Sequence, residues 1–276
     1  MKKLRVLYIS QEIHPFIPSG VIPETAKNLA KATQDLGREI RVFMPRYGLV
    51  NERKHQLHEV QRLSGMNLII NDHDHPLIIK VATVQEVKMQ VYFIDNEEYF
   101  KRKETFWDKD TEEFRGDNDE RTMFFGKGVL ETVKKLGWSP DIIHCHGWMT
   151  SCIPMFLKKE YQDDPHFESS KVLFTPYGND YINQEFGTDI ISKLKYDNFT
   201  DEDLEGLENP TVAKLCAKGL EFADAISEGT EGLFDSLNLK DSVFDKPTLR
   251  HTQLDDEFAA YNEFYDTILD ENAVLA

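Results

Sequence analysis

The stretch "HCHGWMTS", His144 to Ser151, concentrates side chains that can do chemistry. His144 and His146 stand one residue apart at the end of the apolar run "PDII". On a strand that spacing puts both imidazoles on one side. A neutral imidazole donates to or accepts from hydroxyl groups and can polarise a leaving group. A metal would need at least one more ligand at the right distance. "NDHDHP" offers His73 and His75, but nothing in the sequence places them beside the first pair, and a surface loop rich in His and Asp accounts for them. No metal is expected. Cys145, Cys152 and Cys216 form no CxxC, so buried thiols in a reducing compartment are the simplest account.

Three other clusters carry polar groups at suitable places. Ser19 and Gly20 precede a helix, where backbone amides can approach a phosphate. Only one glycine is present, Val21 restricts the backbone, and Pro23 removes an amide donor, which favours a structural loop. Asp117 and Asn118 open another helix, where both suit capping, and Asp117 and Glu120 have the spacing of a capping box. In "FTPYGNDY", Tyr177 ends a strand and can stack on a sugar ring, as can Trp148.

The elements that position these groups alternate. "LRVLYIS" reads as a strand, "PETAKNLAKATQDLG" as a helix with Ala26, Leu29, Ala30, Thr33 and Leu36 on one face, and "EIRVFMPRY" as a second strand. Strand, helix, strand in so few residues implies a parallel sheet. Gly48 to Val87 is less regular, with "HPLIIKVATVQ" and "KMQVYFIDN" as two strands around a polar turn. "GDNDERTMFFGKGVLETVKKLG" is the clearest helix, followed by strand "DIIHCHG", a helix bent or starting late because of Pro154, and strand "KVLFTPYG". Gly187 to Asn209 is acidic and loop-rich. Helix "PTVAKLCAKGLEFAD", strand "AISEG" and helix "TEGLFDSL" follow. In "DEFAAYNEFYDTIL", Phe258, Tyr261, Tyr265, Ile268 and Leu269 share a helical face. The pattern predicts a doubly wound α/β domain.

Several of these stretches together resemble a known family, the glycogen synthases of bacteria and starch synthases of plants. "QEIHPFIPSG" is similar to its opening S-E-x-x-P-F-x-K-T-G-G-L, and "EIRVFMPRYG" to V-R-V-I-M-P-R-Y. "VYFIDNEEYF" resembles V-Y-F-I-D-N-x-x-Y-F. "GDNDERTMFF" with "PDIIHCHGWMT" resembles D-N-x-x-R-F-x-x-F and P-D-I-I-H-x-H-D-W-H-T, and "LEFADAIS" resembles V-x-x-A-D-x-V-x-T-V-S. The likeness runs from about Leu4 to Leu233 and implies the N-terminal Rossmann-like lobe of a two-lobed glucosyltransferase. It implies transfer from ADP-glucose to α-1,4-glucan, with His146 contacting the transferred glucose as tentative catalytic residue. Ser19, Gly20, Asp117, Asn118, His144, Trp148 and Tyr177 become the substrate-binding candidates.

The departures from the motifs carry information. Pro18 stands where the family has the loop lysine, Gly147 where it has an aspartate, and Tyr177 where it has a histidine. With that lysine and a second lobe both missing, the expectation is a weak or inactive enzyme alone. The alternatives are a non-catalytic glucan-binding or regulatory protein, or a half-enzyme completed by a partner chain. Residues 1–240 are expected to form the lobe. Residues 241–276, with nine acidic residues against two basic, are expected to form an acidic segment whose helix packs back on it.

The formal net charge of -17 argues against a phosphate-backbone partner, and no basic patch offsets it. No apolar run approaches the roughly 18 residues of a membrane span. The N-terminus, interrupted by Arg5, reads as a strand rather than a signal peptide. A cytoplasmic location without nucleic-acid or membrane partner, and without a cofactor, is expected.

Overall fold

The computed structural model describes residues 3–178, 180–186, 189–251 and 257–270. The first strand, β1 (Arg5–Ser10), is buried along almost its whole length. Helix α1 (Val21–Asp35) follows, with Pro23 in its first turn and Ala26, Leu29, Ala30 and Thr33 turned into the core. Gly37, at φ +80°, stops it. Leu36, expected on the buried face, is instead 63% exposed. The helix has already ended at Asp35, and the turn toward Gly37 rotates Leu36 outward.

Strand β2 (Glu39–Pro45) lies parallel to β1, with Tyr8 opposite Val42. The less regular stretch holds helix α2 (Glu52–His55) and strands β3 (His58–Glu59) and β4 (Met66–Ile70), which were not expected, and β5 (His73–Val84), which with β6 (Met89–Asp95) makes the expected pair around a polar turn. Here β5 runs antiparallel to β6, β3 and β4. His75 belongs to β5 and is buried against Tyr99 and Glu98, so the surface-loop reading of this histidine is corrected.

Helix α3 (Glu97–Phe100) then leads to α4 (Asn118–Lys135), strand β7 (Ile142–His146), a single 3₁₀ turn at Trp148–Thr150 and α5 (Cys152–Lys159). The remaining elements are β8 (Lys171–Thr175), α6 (Ile190–Tyr196), α7 (Val212–Phe222), β9 (Ala225–Ser227), α8 (Leu233–Ser236), β10 (Thr248–Leu249) and α9 (Glu257–Leu269). Helix α6 falls inside the segment expected to be loop. Asp117 sits at the start of α4 but makes no capping bond. Arg102 and Arg115 draw its carboxylate away from the helix amides, so the expected cap is corrected.

The sheet order is β10-β9-β8-β7-β1-β2-β6-β5-β3, with β4 paired to β5. Neighbours from β10 to β6 are parallel, as the alternating pattern predicts. From β1 the chain winds outward through β2 to β6, returns to β7 beside β1, and then winds the other way. The direction reverses between β1 and β7, where Ser10 lies opposite His146. In a doubly wound sheet that crevice is the usual ligand position.

Helix α9 lies against α1, with Tyr261, Phe264, Tyr265 and Ile268 buried. Its docking is strongly polar. The Tyr265 hydroxyl bonds the Tyr8 hydroxyl at 2.9 Å and His144 Nδ1 at 2.7 Å. Asn262 Oδ1 accepts from Thr33 at 2.9 Å, and Arg38 donates to the Asp266 carboxylate at 2.8 Å. Phe258 and Leu269, expected on the same face, are partly buried at the rim. Residues 252–256 and 271–276 of the acidic segment lie outside the described residues. Removing the Tyr265 hydroxyl strands the buried Nδ1 of His144, at about 1–3 kcal/mol for an unmet partner, while the Tyr8 hydroxyl keeps Thr33 at 2.7 Å. Tyr265→Phe should therefore lower unfolding stability by about that much in urea titrations. Glu263→Ala, on the exposed face, should change it by less than about 0.5 kcal/mol.

Candidate functional site: the crevice at the switch point

The loops that follow the carboxyl ends of β1, β2, β6, β8 and β9 enclose a cleft of about 560 Å³. Ser19, Gly20 and Tyr177 line it, as expected of residues at this edge, together with Pro18, Val21, Ile22 and Leu49. Glu12 and Tyr181 line it too, and the sequence reading had not singled them out. Glu12 lies two residues past the end of β1, the strand beside the reversal point. A charged side chain there was the available signal. No lysine or arginine lines the cleft.

The histidine pair lies beneath this cleft. His144 is fully buried, and both ring nitrogens are committed. Nδ1 bonds Tyr265, and Nε2 bonds the Thr175 hydroxyl at 2.8 Å. Thr175 continues to Ser227, and Ser227 to Tyr261 at 3.1 Å, which closes a ring of hydrogen bonds through α9. His146 is also fully buried, its ring 3.8 Å from that of His144. Its Nδ1 bonds the Tyr177 hydroxyl at 3.0 Å, and its Nε2 has no partner among the described residues. Tyr177 thus stands between His146 and the cleft. Burial holds the His144 imidazole well below its ordinary value, with His146 adding to the effect, and pushes His146 down to about 3. Both rings are neutral at pH 7.

Trp148 and the α4 residues face elsewhere. Trp148 is buried among Phe106, Phe114 and Phe186, so the expected stacking of its ring on a sugar is corrected. Asn118 is fully buried, donating to the Phe106 carbonyl at 2.9 Å and accepting from Arg121 at 2.6 Å. Asp117 is held by its arginines. The structure therefore brings Ser19, Gly20 and Tyr177 to one cleft, sets His144 and His146 behind it, and leaves Asp117, Asn118 and Trp148 in the surrounding packing.

Gly147 explains part of this geometry. Its φ of +87° is a region where side chains are strained, and a Cβ there would fall 2.6 Å from Gln11 Cγ. The Gln11 side chain fills the space a residue at 147 would need. It is fully buried, and neither carboxamide atom has a partner among the described residues. The first turn of α1 offers an anion little, because Glu24 occupies it and accepts the Ser19 hydroxyl at 3.1 Å. Among the described residues no group of three His, Cys, Asp or Glu is placed to hold a metal ion, and no helix is long and apolar enough to cross a membrane.

Fold and cleft together define a doubly wound α/β domain of the Rossmann-like class with its ligand crevice at the switch point. A family model described as the starch synthase catalytic domain matches residues 5–228. A glycogen synthase from Chlorobium luteolum is 33% identical over 228 residues, covering 82% of this chain and 45% of that protein. One from Chlorobaculum tepidum is 35% identical over 227 residues, covering 82% and 46%. The catalytic domain of starch synthase IV from Arabidopsis thaliana, solved bound to ADP and acarbose, superposes with a TM-score of 0.64 at 20% identity. That superposition covers 82% of this chain and 45% of the plant chain. The chain belongs to the starch synthase catalytic-domain family, the glycogen and starch synthases. It spans about half the length of the curated relatives it matches.

Two predictions follow from the buried centre. The unfolded imidazole of His146 titrates near 6.5 and the folded one near 3, so the unfolded state binds more protons between those values. Stability is complete above pH 6.5 and is lost as pH falls through that window. The loss from His146 should reach about 2 kcal/mol by pH 5, and His144 adds to it in the same direction. Denaturant titrations at pH 7.5 and 5.0 should show it, and the double substitution His144→Gln, His146→Gln should flatten it. Secondly, Gly147→Ala should destabilise by more than about 1 kcal/mol. Adding Gln11→Ser should recover part of that loss, because it removes the steric share and leaves the backbone share.

Proposed function

We propose that this chain handles glucosyl ligands in α-1,4-glucan synthesis of the glycogen and starch synthase type, and that it transfers glucose from ADP-glucose only weakly by itself. Family membership supplies the first half of this reading. One observation carries the second: the loop that faces the cleft presents Pro18 in place of the lysine of the motif it resembles, and no lysine or arginine lines the cavity. Transfer from a sugar nucleotide requires stabilising the charge that develops on the departing diphosphate, and preformed cationic or amide donors do most of that work. An apolar wall of Ile17, Val21, Ile22 and Leu49 cannot.

His146 is the candidate for contact with the transferred sugar, reached when the Tyr177 hydroxyl swings off its Nδ1. Ser19, Gly20 and Tyr177 are the candidate substrate contacts. Residues 1–240 form the lobe in this reading, and 241–276 the segment that returns to it. A glucan-binding role without transfer is the second reading, favoured by Tyr177 and Tyr181 on the cleft wall. A further reading, a half-enzyme completed by a partner chain, would restore the diphosphate grip from outside. Incorporation of labelled glucose from ADP-glucose into glycogen primer tests the proposal. The purified chain should turn over at least 100-fold more slowly than a full-length bacterial glycogen synthase, and equal rates would overturn it. Tyr177→Phe, which frees His146 Nδ1, should change the residual rate more than the stability.

A further inference from the structure

Gln11 is the crevice residue that packing does not explain. It follows β1 directly, and its backbone N–H donates to the His146 carbonyl at 3.1 Å, carrying the β1–β7 pairing one step past the strand. Its side chain is fully buried over Gly147, yet neither carboxamide atom meets a partner among the described residues. A buried amide without partners costs stability that an apolar side chain of the same shape would not. Departures from that rule gather where a chain needs a group for something other than folding.

The motifs point to what the group replaces. The opening motif has serine where Gln11 stands, and the strand-end motif has aspartate where Gly147 stands. The two departures compensate in space. A Cβ on Gly147 would fall 2.6 Å from Gln11 Cγ and closer still to the carboxamide oxygen. The polar end of Gln11 therefore lies where the side chain of an aspartate at 147 would begin. One polar group has been exchanged for another, delivered from β1 instead of β7, and a carboxylate has become an amide. An ionised carboxylate only accepts hydrogen bonds, whereas an amide also donates them.

The acceptor available to that donor is Glu12, the glutamate of the opening motif, which lines the cleft. Ser10 pins the Glu12 backbone, donating to its carbonyl at 2.7 Å. No lysine or arginine lines the cavity to hold the carboxylate itself. Burial raises the Glu12 carboxyl above its ordinary value, and the Gln11 amide is the neighbour that draws it back. An aspartate in that place would do the opposite, because like charges disfavour each other's ionised form. We propose that Gln11 is a positioning residue, whose amide takes the place of the motif's aspartate and holds the Glu12 carboxylate toward the cleft. The inference rests on the reading of the cleft as the working site and adds to it a residue outside the family's motifs.

Carboxyl-carbon NMR titration of the full chain, labelled at glutamate, tests this, with the Glu12 signal assigned by its loss in Glu12→Gln. Gln11→Met keeps the shape and removes the donor. Its unfolding temperature should stay unchanged or rise, and Glu12 should titrate higher by about one pH unit. Gln11→Glu, of the same length, sets a like charge beside the carboxylate and should push the upper titration step of the pair higher still. The acid limb of residual glucose incorporation from ADP-glucose should move with the titration in each variant. The inference is overturned if Gln11→Met unfolds several degrees lower, which would make the amide structural, or if folded Gln11→Met leaves the Glu12 titration where it was. The titration needs no turnover, so a chain that incorporates no glucose defeats the proposed function and leaves this test intact.

Discussion

The hydrogen bonds of the Tyr265 hydroxyl, to Tyr8 on β1 and to His144 on β7, tie the centre of the sheet to its last helix. Three polar side chains at full burial would each cost free energy if left unmet, and here each meets another. The ring that continues through Thr175, Ser227 and Tyr261 makes the pairing cooperative. Apolar packing alone would let α9 slide along α1 at small cost. Two hydroxyls and an amide that must find particular partners fix one position. Because His144 is held on both nitrogens, its neighbour His146 has a fixed wall to stack on, and Tyr177 a fixed acceptor or donor to reach. The orientation of the cleft wall thus descends from a helix more than a hundred residues away in sequence.

A second constraint acts at the switch point and concerns charge. Gln11 and Gly147 share one volume: the long amide fits because position 147 has no side chain, and position 147 has none because its backbone sits at φ +87°. The outcome is a neutral amide at the crevice floor. Burial keeps both histidines uncharged, and the loop before α1 carries a proline. Three features therefore remove charge from the base and one side of the crevice, leaving Glu12 as the charged group of its lining. Had only one of them occurred, it would be an isolated substitution. Together they make a site whose electrostatics differ from those a diphosphate needs.

Most of the architecture was legible in the sequence because its signals are local. Apolar runs with β-branched residues gave the parallel strands, and Pro23 and Gly37 bracketed α1 from within and just beyond. Where signals were tertiary they misled. Leu36 fits the helical period of α1, yet the chain turns before it. Asp117 has capping chemistry, yet Arg102 and Arg115 compete for the carboxylate and win it. Strands β3 and β4 are short, so periodicity could not separate them from loop, whereas the longer β5 and β6 were legible as strands. The site divided along the same line. Residues at strand ends, Ser19, Gly20 and Tyr177, reach the cleft because the topology carries every such end to one edge. Trp148 and Asn118 also sit near strand or helix ends, but their side chains turn inward, and no spacing rule reports the direction. Glu12 stands at the glutamate of the opening motif, but spacing alone does not report that this side chain faces the cleft.

The family match and the crevice chemistry answer different questions, and their difference is informative. A doubly wound sheet places a ligand at its reversal point whatever the ligand is, since that is where loops diverge and backbone amides are free. Sheet order, strand burial and the docking of α9 therefore support a site without specifying its occupant. The occupant is chosen by a handful of loop side chains, and those can change without disturbing the core, because none of them is needed to bury it. In this chain Pro18 and Ser19 are exposed, and the core beneath is continuous. The same core that preserves the family's geometry thus places no demand on the family's charge. That is how a lobe with a third of its residues identical to glycogen synthases can retain their crevice while its loop presents Pro18 where the motif has a lysine.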